Sequence, residues 1–107
     1  MEEYRTLVQG SLKDVEISIV GLNAGLAIPG SVQEISDDKL EDVIRVNALH
    51  PIYLGKVLIE KMMVQSIKSA IIVTSSGLAN IYLPNVASYN ATKAFVSNFF
   101  QGVHYEV

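Results

Sequence analysis

Tyr89 and Lys93 stand four residues apart in the run Tyr89-Asn90-Ala91-Thr92-Lys93. On a helix that spacing places two side chains one above the other on one face, so a phenol and an ammonium could act on one bound molecule. A phenol of ordinary pKa near ~10 is a poor proton donor or acceptor at neutral pH, and a nearby positive charge favours its phenolate. Lys93 is placed to supply that charge. Ser76, 13 residues before Tyr89, follows an apolar run and could hold a substrate carbonyl against the tyrosine hydroxyl. The set suits proton transfer to an oxygen while hydride reaches the attached carbon from a cofactor, because no side chain supplies hydride.

These residues need elements to position them. Ala70 to Val73 reads as a short buried strand ending in Thr74-Ser75-Ser76-Gly77, and Leu78 to Asn85 as a loop stopped by Pro84. From about Val86, Ala87, Ala91, Ala94, Phe95, Asn98, Phe99 and Val103 outline a long helix. Upstream, Ile17 to Val20 predicts another buried strand, closed by Gly21-Leu22-Asn23-Ala24-Gly25, where small residues allow a tight turn. Ser36 is an N-cap candidate with Asp37 and Asp38 in the first turn and Ile35 and Leu40 at the hydrophobic-staple positions. Apolar residues then recur at helical spacing from Leu40 to Met62, interrupted at Asn47 and Pro51. Pro51 cannot donate to the carbonyl of Asn47, so a kink or broken turn is expected there. Met1 to Leu12 shows a looser helical pattern weakened by Gly10.

The order helix, strand, helix, strand, helix, with long crossovers, predicts two parallel strands in a doubly wound α/β sheet. Ligands of such sheets bind beyond the carboxyl ends of the strands, where Asn23 to Gly25 and Ser75 to Gly77 both fall.

Composition narrows the function classes. The formal charge of −3, with no basic cluster, gives no footprint for nucleic acid or an anionic membrane. There is no cysteine, which excludes disulfides and thiolate metal sites, and His50 and His104 have no second ligand at useful spacing, so no metal is expected. No apolar run reaches the roughly 18 residues of a membrane span, and the start lacks a basic region followed by an apolar one. Half the residues are apolar, which fits a largely buried sheet with helices on its faces. Tyr82, in the loop before the Tyr89 helix, is a candidate for touching a substrate.

Taken together the motifs resemble those of the short-chain dehydrogenase/reductases: N-N-A-G after the fourth strand, an Asn in the next long helix, a Ser after the fifth strand, and Y-x-x-x-K. Here Leu22-Asn23-Ala24-Gly25, Asn47, Ser76, and Tyr89 with Lys93 stand in that order and at the family's spacing. The wording YNATKAFVSNFF also looks like the branch holding hydroxysteroid dehydrogenases and very-long-chain 3-oxoacyl-CoA reductases.

The resemblance implies a partial Rossmann-like fold, with residues 1–107 the central fragment of one domain. It implies Tyr89 as general acid/base, Lys93 as holder of the nicotinamide ribose, and Ser76 as the group orienting the carbonyl. Asn47 would carry a water linking Lys93 to solvent. Asn23, Ala24 and Gly25, with Tyr89 and Lys93, would line the cofactor side, the cofactor being NADP or NAD. The implied partners are an apolar carbonyl or alcohol substrate and a second copy paired through the two long helices. The implied location is cytoplasmic, or associated with the endoplasmic reticulum in a longer parent.

Two departures bear on this. Leu22 replaces the first Asn of N-N-A-G, and the first strands and their Gly-rich loop, G-x-x-x-G-x-G, are not found in these residues. Without that loop's amides and helix N-terminus the pyrophosphate lacks its cradle. The alternative is therefore a catalytically inert chain whose long helices serve as an interaction module.

Overall fold

The structure is a computed structural model and describes all residues 1–107. Its frame is a pair of parallel strands, β1 (Ile19–Leu22) and β2 (Ala70–Val73), aligned Ile19 to Ala70 through Leu22 to Val73. Around them lie α1 (Glu2–Thr6), α2 (Asp37–Ile44), α3 (His50–Met62) and α4 (Ala87–His104). The predicted element order and the parallel pairing are thus observed. No helix is long and apolar enough to cross a membrane.

β1 begins two residues later than the expected Ile17. The reason is local: Gln65 accepts the Ile17 amide through Oε1 at 2.9 Å and donates Nε2 to the Ile17 carbonyl at 3.0 Å, so Ile17 is withdrawn from the ladder. Pairing starts at Ser18, whose carbonyl accepts the Ala70 amide at 2.8 Å. The strand runs on to Leu22, which points into the core and is 6% exposed. The departure from N-N-A-G therefore supplies a core side chain.

Side chains alternate across a strand, and here the two faces differ. Val20, Leu22, Ile71 and Val73 pack on the helical layer, around a cluster of Val8, Leu22, Val57, Leu58 and Met62. On the other face Ile19 is 67% and Ile72 61% exposed. The expected helices on both faces are observed on one.

The long helical pattern from Leu40 to Met62 is broken into α2 and α3 by a wide turn, Arg45–Leu49, of π-helical form. Pro51 sits in the first turn of α3, where its missing N–H is tolerated. The expected irregularity is present and lies mainly before the proline. Ser36 holds the N-cap position of α2 with an extended backbone, but its side chain makes no capping bond. A second wide turn, Leu7–Ser11, absorbs Gly10 and shortens α1 to five residues. Gly55 lets α3 approach α4 closely, since a Cβ there would lie 2.8 Å from the ring of Phe100.

α1 is fastened to α3 by polar contacts. Tyr4 Oη lies 3.0 Å from His50 Nδ1, and Arg5 donates to Glu60 at 2.7 Å. The hydrogen bond from Arg5, then that from Lys56, holds the Glu60 carboxyl down at about 2.

Candidate active site

The carboxyl ends of the two strands are tied together before any helix residue reaches them. The Thr74 amide donates to the Leu22 carbonyl at 3.0 Å, and Thr74 Oγ1 donates to Asn23 Oδ1 at 2.8 Å. The loops after β1 and β2 thus form one platform, as expected for the ligand side of a parallel sheet.

α4 delivers Lys93 onto that platform. Its ammonium donates to the Thr74 carbonyl at 3.1 Å, and the residue is only 4% exposed. A Cβ on Gly25 would come within 3.3 Å of Lys93 Nζ, so glycine at this position gives the ammonium room beside the backbone. The chain's ion pairs join Arg5 and Lys56 to Glu60 and Arg45 to Glu41; none reaches Lys93. An ammonium has three donors, and the protein's hydrogen bonds use one. A buried cation with no counter-ion is costly to fold, which marks Lys93 as a candidate functional group.

Tyr89, one turn earlier and half-buried, lies with its ring centroid 5.8 Å from Lys93 Nζ, within cation–π reach. The predicted pair is brought together. Ser76 is held differently: its Oγ accepts the Leu78 amide at 3.1 Å and caps the short 3₁₀ turn Gly77–Asn80. The loop expected from Leu78 therefore opens with a helical turn. Capping fixes the serine oxygen and leaves its proton to be donated. Ser75 points away into α4, bonding the Lys93 carbonyl and Ser97 Oγ.

Asn47 is 1% exposed, and the wide turn aims its side chain across to the loop after β1. Oδ1 accepts the Leu26 amide at 2.7 Å, while Nδ2 donates to the Leu26 carbonyl at 2.7 Å and to Thr92 Oγ1 at 3.1 Å. Both amide protons are spent. Asn47 is thus a staple between α2–α3 and the Asn23 to Gly25 loop.

Two buried polar residues were not singled out by the sequence. Thr92, 6% exposed, accepts from Asn47 and donates to the Tyr89 carbonyl at 2.8 Å. Asn90, 7% exposed, donates to the Ile81 carbonyl at 2.8 Å, fastening the loop after Ser76 to α4, and its Oδ1 has no partner. The only signal either gave was a polar residue inside a helical pattern, which reads as a solvated face. Tyr82, the substrate-contact candidate, is fully exposed.

The residues present fit one end of a dinucleotide. Unspent ammonium donors beside a glycine backbone suit the hydroxyls of a ribose, whereas no glycine-rich phosphate loop stands in the sequence.

Comparison with known proteins agrees with this fold. The family described as "short chain dehydrogenase" matches residues 1–107. "Inactive hydroxysteroid dehydrogenase-like protein 1" of Pongo abelii is 33% identical over 101 residues, covering 92% of this chain and 30% of that protein. "Very-long-chain 3-oxoacyl-CoA reductase" of Mycosarcoma maydis is 26% identical over 102 residues, covering 87% of this chain and 29% of that protein. The chain therefore spans less than a third of the length of these relatives. A short chain dehydrogenase/reductase from Burkholderia phymatum, solved in complex with NAD, shares the fold with a TM-score of 0.89 at 21% identity. The match covers 99% of this chain and 38% of that one.

Proposed function

The chain belongs to the short-chain dehydrogenase family, and on that premise we propose that it carries the proton-transfer half of a site interconverting a carbonyl and a secondary alcohol. Residues 1–107 then form the central part of one Rossmann-type domain. The observation that carries the reading is Lys93: a buried ammonium without a counter-ion, with unspent donors, beside the Tyr89 ring.

In this reading Tyr89 Oη gives its proton to the carbonyl oxygen on reduction and takes it back on oxidation. Lys93 places positive charge beside the phenol and holds ribose hydroxyls. Ser76 donates to the same substrate oxygen, its own oxygen fixed by the Leu78 amide. A nicotinamide cofactor, NADP or NAD, supplies hydride when bound. Asn23, Ala24 and Gly25 line its side of the platform. The backbone of the wide turn at Asn47, where Pro51 offers no N–H, is the place for a water leading from Lys93 to solvent. The side chain of Asn47 is committed to Leu26 and Thr92 and acts by holding the loop.

The substrate is an apolar ketone or alcohol of steroid or 3-oxoacyl type, a reading supported by the names of the relatives. The test is turnover of such ketones with NADPH or NADH by the longest gene product carrying these residues. Tyr89→Phe is expected to lower kcat by about 10²- to 10⁴-fold; undiminished turnover refutes the assignment.

A second reading has its own support. Relatives carry "Inactive" in their names, and Phe95 of α4 and Met63 at the end of α3 are exposed. It makes the chain an inert module that pairs through α3 and α4 with a copy of itself. Titration with NADPH, followed by cofactor fluorescence, separates the two, since the inert module predicts no saturable change.

A further inference from the structure

Between Asn47 and Tyr89 stands one hydroxyl to which the proposed chemistry gives no part. Thr92 Oγ1 has a single proton, and it goes to the Tyr89 carbonyl at 2.8 Å. A threonine bonding back to the carbonyl three residues earlier is ordinary helix behaviour. The second bond is not ordinary. Asn47 Nδ2, from another helix and 45 residues away, donates to the same oxygen at 3.1 Å in a buried setting. The other proton of that amide and its oxygen are fixed by the Leu26 backbone. A continuous path therefore runs from the loop after Gly25, through Asn47 and Thr92, to the backbone of Tyr89.

We propose that Thr92 is a positioning residue for Tyr89: its hydroxyl ties the turn that carries the phenol to the loop beneath Lys93, fixing that turn against Gly25. Both members of the pair are on α4, so helix geometry alone sets their spacing along the axis. It does not set how that turn sits against Gly25, beside which Lys93 Nζ passes, and Thr92 links the two. Valine keeps the shape of Thr92 and removes the bond, leaving an Asn47 proton without an acceptor in a buried place. The turn and the staple then relax separately. Misplacement by about 1 Å is enough to cost on the order of 10²-fold in rate.

This inference rests on the proton-transfer reading, and its test is arranged so that the two fail separately. In the longest gene product, Thr92→Val is expected to lower kcat by about 10- to 100-fold with the carbonyl KM changed by less than about 2-fold. Thr92→Ser, which restores the hydroxyl, is expected to recover most of the loss. Loss only in proportion to the unfolded fraction, or serine falling as far as valine, overturns the proposal. In the 107-residue chain itself, the nuclear Overhauser contact between the Lys93 side chain and Gly25 is expected to persist in Thr92→Ser and weaken in Thr92→Val. If the wild type shows no turnover, the oxidoreductase reading fails and this contact decides alone: unchanged in Thr92→Val, it overturns the positioning role. Thr92→Ala takes the place of the valine variant should that one not fold.

Discussion

The apolar cluster under the sheet, Val8, Leu22, Val57, Leu58 and Met62, and the polar set beside the strand ends, Asn47, Asn90, Thr92 and Lys93, are buried alike but held by different forces. The first gains from leaving water and asks only for shape. The second must return to every donor and acceptor the partner that water gave it, and succeeds with the exceptions of Asn90 Oδ1 and the spare donors of Lys93. Only 14 of 107 residues are buried, so giving four of those places to polar side chains is a large outlay for a small interior. The difference separates residues whose burial is itself the driving force from residues whose burial must be compensated bond by bond.

That distinction can be broken most directly at Lys93. If the ammonium is there for chemistry, Lys93→Met lowers turnover by about 10²- to 10⁴-fold, measured as kcat in the longest gene product. The same change leaves the urea midpoint of this chain equal or higher, because an uncompensated buried charge gives way to an apolar side chain. A large fall in the midpoint would place Lys93 with the structural residues instead. Leu22→Ala is the opposite case: a loss of about 2–5 kcal/mol in urea unfolding is expected from the transfer and cavity terms. Asn47→Ala falls between, at about 1–3 kcal/mol, because the Leu26 amide and carbonyl lose their buried partner. A loss from Asn47→Ala as great as that from Leu22→Ala would show the polar set to be the true core.

The smallest effect belongs to a polar pairing outside both clusters. The folded Glu60 carboxyl titrates at about 2, below its ordinary 4.5, chiefly through the Arg5 hydrogen bond. Its contribution is therefore present above pH 4.5 and is lost as pH falls through about 2. Glu60→Gln should flatten the acid limb of stability over that window and lower stability at pH 7 by the same small amount, since exposed ion pairs are screened.

The two clusters were also unequally legible in the sequence. Leu58 and Met62 follow from helical periodicity, and the parallel pairing of β1 and β2 from the length of the crossover between them. Asn47, Ser76, Tyr89 and Lys93 could be singled out only as a constellation, since each alone reads as a solvated, capping or helix-kink residue. Thr92 was hidden because burial of a polar helix residue depends on a partner 45 positions away, and periodicity carries no such information. The late start of β1 was hidden for a similar reason: nothing in a polar connection reveals that Gln65 will take both backbone groups of Ile17.

The bare side of the strand pair has a consequence of another kind. Ile19 and Ile72 lie open, and with only two strands each strand has one unpaired edge. Exposed aliphatic side chains next to free backbone edges are what chaperones bind and what seeds aggregation in a crowded cell. For these 107 residues on their own, solubility is then set by competition between the covering of that face and self-association through it.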